Sequence, residues 1–191
     1  MGWSAYTEVV NAHPFETLRL EAHRRSEQDF VDALGHPVLV GLYTTPGNLE
    51  PTESRSGGTL VYQDNRTLEE KLFGTPDPES ARIRGWLAVV RTRHGESDYV
   101  SVGRGEHNDV VVGDDSVSKD HARFYRHAAS GVLLDVGSSN GTWHNQLRLE
   151  AMEECQIHPG DELQFGRVVC AFLSPAMLRE YMLDTRGPRF H

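Results

Sequence analysis

Residues 100–145 read VSVGRGEHNDVVVGDDSVSKDHARFYRHAASGVLLDVGSSNGTWHN, and this stretch decides the architecture. Short apolar and β-branched runs (Val100 and Val102, Val110 to Val112, Ala122 and Phe124, then Val132, Leu133, Leu134 and Val136) alternate with segments rich in Gly, Asn, Asp and Ser. Runs of that kind form strands, and the punctuating residues supply the turns between them. Three polar clusters therefore fall in loops: Gly103-Arg104; Ser118-Lys119-Asp120-His121; and Ser138-Ser139-Asn140-Gly141-Thr142, with Asn145 following. Loops carried by a rigid sheet are where binding residues concentrate.

The residue types in these loops suit an anionic ligand. Arg104 ends a strand with a planar fork of donors that stays charged. Ser118 and Ser139 offer hydroxyl donors, and Lys119 places a point charge beside the first of them. Asn140 has an amide that both donates and accepts, as contact with a peptide backbone requires, and Gly141 admits a turn conformation closed to residues with a Cβ. A phosphorylated threonine carries about two negative charges and three acceptor oxygens, which this set of donors matches. Each piece also has a plainer reading. Arg104 alone is an ordinary surface arginine, Lys119 a solvated charge, and Ser118 and Ser139 turn residues bonded to local backbone. Asn140-Gly141 is a strong hairpin dipeptide. The order and spacing of the three clusters together carry the weight.

In that order and spacing the clusters resemble the phosphate-binding loops of forkhead-associated (FHA) domains. His158-Pro159-Gly160-Asp161-Glu162-Leu163 and Phe165-Gly166 resemble the family's late turn and following strand. The resemblance covers roughly residues 84–173, a little under half of the 191-residue chain. It implies a mainly β fold, an FHA-type antiparallel β-sandwich. It implies phosphothreonine-peptide binding, with Arg104 and Ser118 on the phosphate, Lys119 and Ser139 assisting, and Asn140 holding the peptide backbone. Gly103, His121, Gly141 and Thr142 are then structural residues of the loops. The implied partner is a phosphothreonine-containing protein or peptide, a Ser/Thr kinase or its substrate. Burying one methyl group is worth about 0.8 kcal/mol, roughly fourfold in affinity, so the family's strong preference for threonine over serine needs more than buried area. Where members of the family place a basic side chain to read the third residue after the phosphothreonine, this chain has Asp114-Asp115-Ser116-Val117, which argues against an acidic preference there.

Composition narrows the function further. Nineteen Lys and Arg against 28 Asp and Glu give a net charge of −9, which opposes nucleic acid and anionic membranes. It opposes a phosphopeptide at long range too, so binding rests on local cations near Arg104. No signal peptide, long apolar run or lipidation motif is read, and a cytoplasmic location is expected. Cys155 and Cys170 are expected in strands as reduced core residues. The ten histidines are scattered, without His-Glu-x-x-His or paired Cys-x-x-Cys, so no metal and no cofactor are expected.

Outside the sandwich the pattern is less regular. Phe15, Leu18, Ala22, Phe30 and Leu34 after His13-Pro14 predict one amphipathic helix ending at Gly35. Val38 to Tyr43 and Leu60 to Tyr62 predict strands, separated by a mobile loop from Thr45 to Gly58. Thr67-Leu68-Glu69-Glu70 predicts a capped short helix stopping at Gly74. The chain thus divides into a small N-terminal α/β extension (1–74), a linker (75–83), the FHA domain (84–173), and a C-terminal helix and tail (174–191). The last helix starts at Ser174-Pro175 and carries Met177, Leu178, Tyr181 and Met182 on one side.

Two other function classes stand beside the phosphothreonine reader. One is a phosphate-independent scaffold, in which the same sandwich self-associates or holds a fixed partner through the N-terminal unit and the last helix; the oligomeric state is open. The other is an enzyme with Ser118 as nucleophile and His121 as base, but no Gly-x-Ser-x-Gly elbow or orienting carboxylate accompanies them, and no catalysis is expected. Thr45, Thr52 and Thr75 in the N-terminal half are candidate phosphorylation sites whose modification would let the chain occupy its own site or a neighbour's.

Overall fold

Apolar strands joined by polar turns stack here into two sheets. The computed structural model describes residues 14–45, 68–73, 86–93, 97–127 and 130–184. In chain order these hold α1 (Pro14–Arg24), α2 (Glu27–Leu34), β1 (Val38–Thr44), α3 (Leu68–Phe73), β2 (Leu87–Val89), β3 (Tyr99–Gly103), β4 (Val110–Val111) and β5 (Ala122–His127). They continue through β6 (Ser130–Asp135), β7 (Thr142–His144), β8 (Leu147–Arg148), β9 (Glu154–Ile157), β10 (Glu162–Phe165), β11 (Val168–Leu173) and α4 (Pro175–Leu183). The larger sheet runs β2-β1-β11-β10-β7-β8 and the smaller β4-β3-β5-β6-β9. Pairing is antiparallel apart from β3 with β4, where Val102 faces Val110. This is the sandwich that the strand pattern and the family resemblance predict.

The sequence of β11, VVCAFL, lacks polar alternation, and a strand of that kind is buried on both faces. Val168, Cys170 and Phe172 point between the sheets, where they meet Leu39, Val100, Val102, Phe124, Leu133, Leu163 and Phe165. Val169, Ala171 and Leu173 point the other way, into a second core with Leu18, Ala22, Phe30, Leu34, Leu178, Tyr181 and Met182. One strand is thus the shared wall of two cores. The helix expected after Ser174-Pro175 forms, capped by the Ser174 hydroxyl on the Met177 N–H, and it packs against α1 and α2.

Three N-terminal expectations are refined. The single amphipathic helix is two: Ser26 takes an extended conformation and its side chain accepts from the Asp29 N–H, which starts α2 afresh. The end at Gly35 holds, with that residue left-handed at φ 67°. The strand at Val38 is not confined to the N-terminal region, because β1 lies between β2 and β11 in the larger sheet. Thr45 does not open a mobile loop: it is 2% exposed and its N–H donates to the Arg167 carbonyl at 2.8 Å. The predicted strand at 60–62, the rest of the predicted loop (46–58), Thr67, the linker, Thr52 and Thr75 lie outside the described residues. The short helix α3 is held by Lys71, whose ammonium pairs with Glu162 at 2.5 Å and lies 5.8 Å from the Tyr43 ring centroid.

Phe30 is fully buried in the second core. Phe30→Ala should lower stability by about 3–5 kcal/mol, measured by urea denaturation, if the helices and the sandwich share one cooperative unit. A loss well below that range shows that the helices are an independent appendage.

Candidate functional site

The three polar clusters meet at one end of the sandwich. Arg104 follows β3, Ser118 and Lys119 lie in the turn before β5, and Ser139 and Asn140 lie between β6 and β7. Backbone bonds stitch the first two together: the Arg104 N–H donates to the Ser118 carbonyl at 2.8 Å and the Gly105 N–H to the Lys119 carbonyl at 3.1 Å. Gly103 is required by this approach, since a Cβ there would lie 2.2 Å from the Lys119 carbonyl oxygen. Asn108, 1% exposed, completes the stitch by donating from Nδ2 to the carbonyls of Gly105 at 2.8 Å and Lys119 at 2.6 Å.

The third loop joins through side chains. The Ser139 N–H donates to Ser118 Oγ at 2.9 Å, and Asn140 Nδ2 donates to the Ser116 carbonyl at 2.7 Å. Asp135, at the end of β6, accepts from the Gly137 and Ser138 N–H groups and from the hydroxyls of Ser138 and Thr142. Burial works against its ionisation, but those four hydrogen bonds outweigh it and hold its carboxyl below the ordinary value. Gly141 is left-handed at φ 88°, where a side chain is strained.

His121 ties the loops to one another and to the core. Its Nδ1 accepts the Ser118 N–H at 3.0 Å and its Nε2 lies 3.0 Å from the Gly141 carbonyl, which fixes the proton on Nε2. The ring is fully buried, edge-on to Phe165 at 5.7 Å. Burial lowers its pKa, the Asp135 charge and the Gly141 contact offsetting only part of this, so the imidazole is neutral. The nitrogen facing Ser118 is occupied by a main-chain N–H, not by the hydroxyl. A nucleophile-and-base pair needs the hydroxyl there, so this geometry does not make one.

The remaining polar groups of the three loops face solvent. Arg104 is exposed, and its Nε donates to the Val117 carbonyl at 3.2 Å, leaving its two terminal nitrogens without a partner among the described residues. Lys119 and Ser139 are exposed, and Ser118 is half-buried with its hydroxyl 3.4 Å from that of Ser139. One end of the Asn140 amide is committed to Ser116, and its carbonyl oxygen has no hydrogen-bond partner among the described residues. Asn145 lies elsewhere, in the β7–β8 turn, bonded to Asp161 and Glu162. The acidic Asp114 turns inward to Ser116 and Arg167.

Comparison with known proteins adds a family and a length. The FHA domain family model matches residues 100–166. The glycogen accumulation regulator GarA of Mycolicibacterium smegmatis is 35% identical over 165 residues, covering 86% of this chain and 89% of that protein. The oxoglutarate dehydrogenase inhibitor of Corynebacterium jeikeium is 33% identical over 79 residues, 41% of this chain and 53% of that protein. The chain thus spans about half the length of the corynebacterial relative and most of the mycobacterial one. Among solved structures, an FHA domain from Chlamydia trachomatis is 14% identical with a TM-score of 0.44, covering 72% of this chain and 96% of that chain.

A neutral buried His121 has a definite linkage sign. The unfolded chain binds a proton there that the folded chain refuses, so stability should fall as pH drops below about 6.5. Depressed Asp114, Asp135 and Asp161 extend the loss below about pH 4, where the unfolded carboxylates protonate first. Urea midpoints measured from pH 7.5 to 5 should decline in the native chain and decline less in His121→Asn. Equal slopes contradict the assignment.

Proposed function

The chain belongs to the FHA-domain family, and from that premise we propose that it is a phosphothreonine-peptide-binding adaptor or effector in Ser/Thr kinase signalling. The observation that carries the reading is the set of polar groups at one end of the sandwich that the loop-to-loop bonds leave exposed or only weakly engaged: the two terminal nitrogens of Arg104, the Ser118 and Ser139 hydroxyls, 3.4 Å apart, and the Lys119 ammonium. Arg104 and Ser118 hold the phosphate, with Ser139 and Lys119 completing its shell. Asn140 positions the peptide main chain through its carbonyl oxygen. Gly103, His121, Gly141 and Thr142 keep the three loops in register and touch no ligand.

Rigidity is as important here as charge. Loops already bonded to one another lose little freedom when a ligand arrives, so more of each new hydrogen bond appears as affinity. Three charge-assisted bonds at about 1.5–3 kcal/mol each make the phosphate worth about three orders of magnitude or more. The partner is a phosphothreonine-containing protein, a Ser/Thr kinase or its substrate, met in the cytoplasm, where two free thiols are at home. The chain works by docking and not by catalysis; its relatives are named for regulation and inhibition. The FHA module of residues 84–173 does the reading, while β1 extends its larger sheet and α1, α2 and α4 back that sheet.

Fluorescence polarisation against a phosphothreonine peptide library, with phosphoserine and unphosphorylated pools, tests this directly. Saturable binding should be confined to the phosphothreonine pool and weakened about ten- to a hundredfold in Arg104→Ala. Folded protein that binds no pool contradicts the reading and points to a phosphate-independent scaffold. Gly103→Ala, which leaves every proposed contact side chain in place, should also weaken binding by driving the Lys119 carbonyl away. Unchanged affinity in that variant shows that loop register is not what holds the site together.

A further inference from the structure

A second group of reactive side chains lies away from the three loops, where the edge of the smaller sheet meets β7 of the larger one. Cys155 Sγ on β9 is 3.2 Å from His144 Nδ1 on β7, and His144 Nε2 is 2.8 Å from Asp161 Oδ2. Asp161 is itself held, accepting from Asn145 Nδ2 at 2.9 Å and from the His158 N–H at 2.7 Å. Those bonds outweigh partial burial and keep its carboxyl ionised below the ordinary range. With Asp161 an acceptor, Nε2 carries the proton and Nδ1 is left bare toward the thiol. Asn145 Nδ2 also lies 3.1 Å from Nε2, but its donor is satisfied by the carboxylate.

This is the connectivity of a nucleophile, a base and a group that orients the base. Burial and the Asp161 charge raise the Cys155 thiol above its ordinary value, so at rest it is a protonated donor to His144. Attack then requires the imidazole to take the proton as the sulfur engages, and Asp161 stabilises the imidazolium that results. Cys170 has no such partner: it is fully buried in β11 and burial pushes its thiol far up. These are the chain's two cysteines, Cys155 in the smaller sheet and Cys170 in the larger.

We propose that Cys155, His144 and Asp161 form a thiol-exchange site at which a low-molecular-weight disulfide modifies Cys155. The Cys155 sulfur attacks one sulfur of the disulfide, a new S–S bond forms and the old one breaks. The proton moves from Sγ to His144 Nδ1 and on to the departing thiolate. Cys155 is oxidised as the departing sulfur is reduced, and an external thiol reverses the step. The charged and titratable groups on the surrounding elements are Glu154 on β9, Arg148 on β8, His158 in the β9–β10 turn, Asp161, and Glu162, which is paired with Lys71. Of these only Asp161 bonds to His144.

The test incubates the full chain with oxidised glutathione and maps the adduct by mass spectrometry from pH 6.5 to 8.5, for the native protein, His144→Asn and Asp161→Asn. One glutathionyl group should appear on Cys155 and none on Cys170, whose protection also reports that each variant is folded. At neutral pH both variants should react about tenfold more slowly or worse. The His144→Asn rate should climb about tenfold per pH unit, as a free thiolate fraction does, and the native rate less steeply. Identical rates and pH slopes in all three proteins overturn the proposal. So does a native Cys155 that stays unmodified while the urea-unfolded chain reacts.

Discussion

One neutral imidazole holds the loop end of this sandwich in shape. His121 accepts a main-chain N–H from one loop and donates to a main-chain carbonyl of another, and its ring edge rests on Phe165 in the core between the sheets. Burial keeps it uncharged, so the frame contributes direction without competing for an anion. Charge enters instead at the exposed rim, on Arg104 and Lys119, where water has not been stripped from it. An arrangement with the cation inside would cost far more, because an unpaired buried charge is expensive and a buried neutral hydrogen bond is not.

The sandwich supports that frame from behind through β11. Its two faces serve two cores, one between the sheets and one under α1, α2 and α4. The helices therefore cover a sheet face that an isolated sandwich would expose, and β1 lengthens the same sheet toward β2. Within a −9 chain, three acidic side chains near the loops are engaged internally, while Glu106, Asp115 and Asp120 stay exposed. Asp135 organises the third loop, Asp109 bonds the Ser101 N–H and hydroxyl, and Asp114 braces Ser116.

How much of this could be read beforehand depends on the range of the interactions concerned. The strands of the sandwich are legible because apolar alternation and turn residues are local signals, while Gly103, His121 and the two hydroxyls stand out only through the order and spacing of the three clusters that resembles the family. The break at Ser26 was there to be read, since a serine followed by an acidic first turn is a start signal, but the apolar spacing across it outweighed it. The placement of β1 beside β11 was not, because a partner well over a hundred residues away leaves no mark on local periodicity. Asn108 and Asp135 were passed over for a related reason. Each looks like an ordinary turn residue, and only the folded chain shows one stitching two loops and the other collecting four donors. The Cys155–His144–Asp161 contact likewise depends on two sheets meeting, and its residues are spread over β9, β7 and the β9–β10 turn with no motif to join them.

The central claim is that three loops, locked together through His121 and Asn108, present one prebuilt surface to a phosphothreonine. Backbone amide NMR of the full chain, titrated with a phosphothreonine peptide that binds, examines it most directly. The account predicts that the large shift changes cluster at residues 103–105, 117–120 and 138–141, while the His121 ring nitrogens keep the signature of a neutral ring protonated at Nε2 in both states. Shifts concentrated on α1, α2 and α4, or a His121 that becomes protonated when the peptide binds, would contradict it.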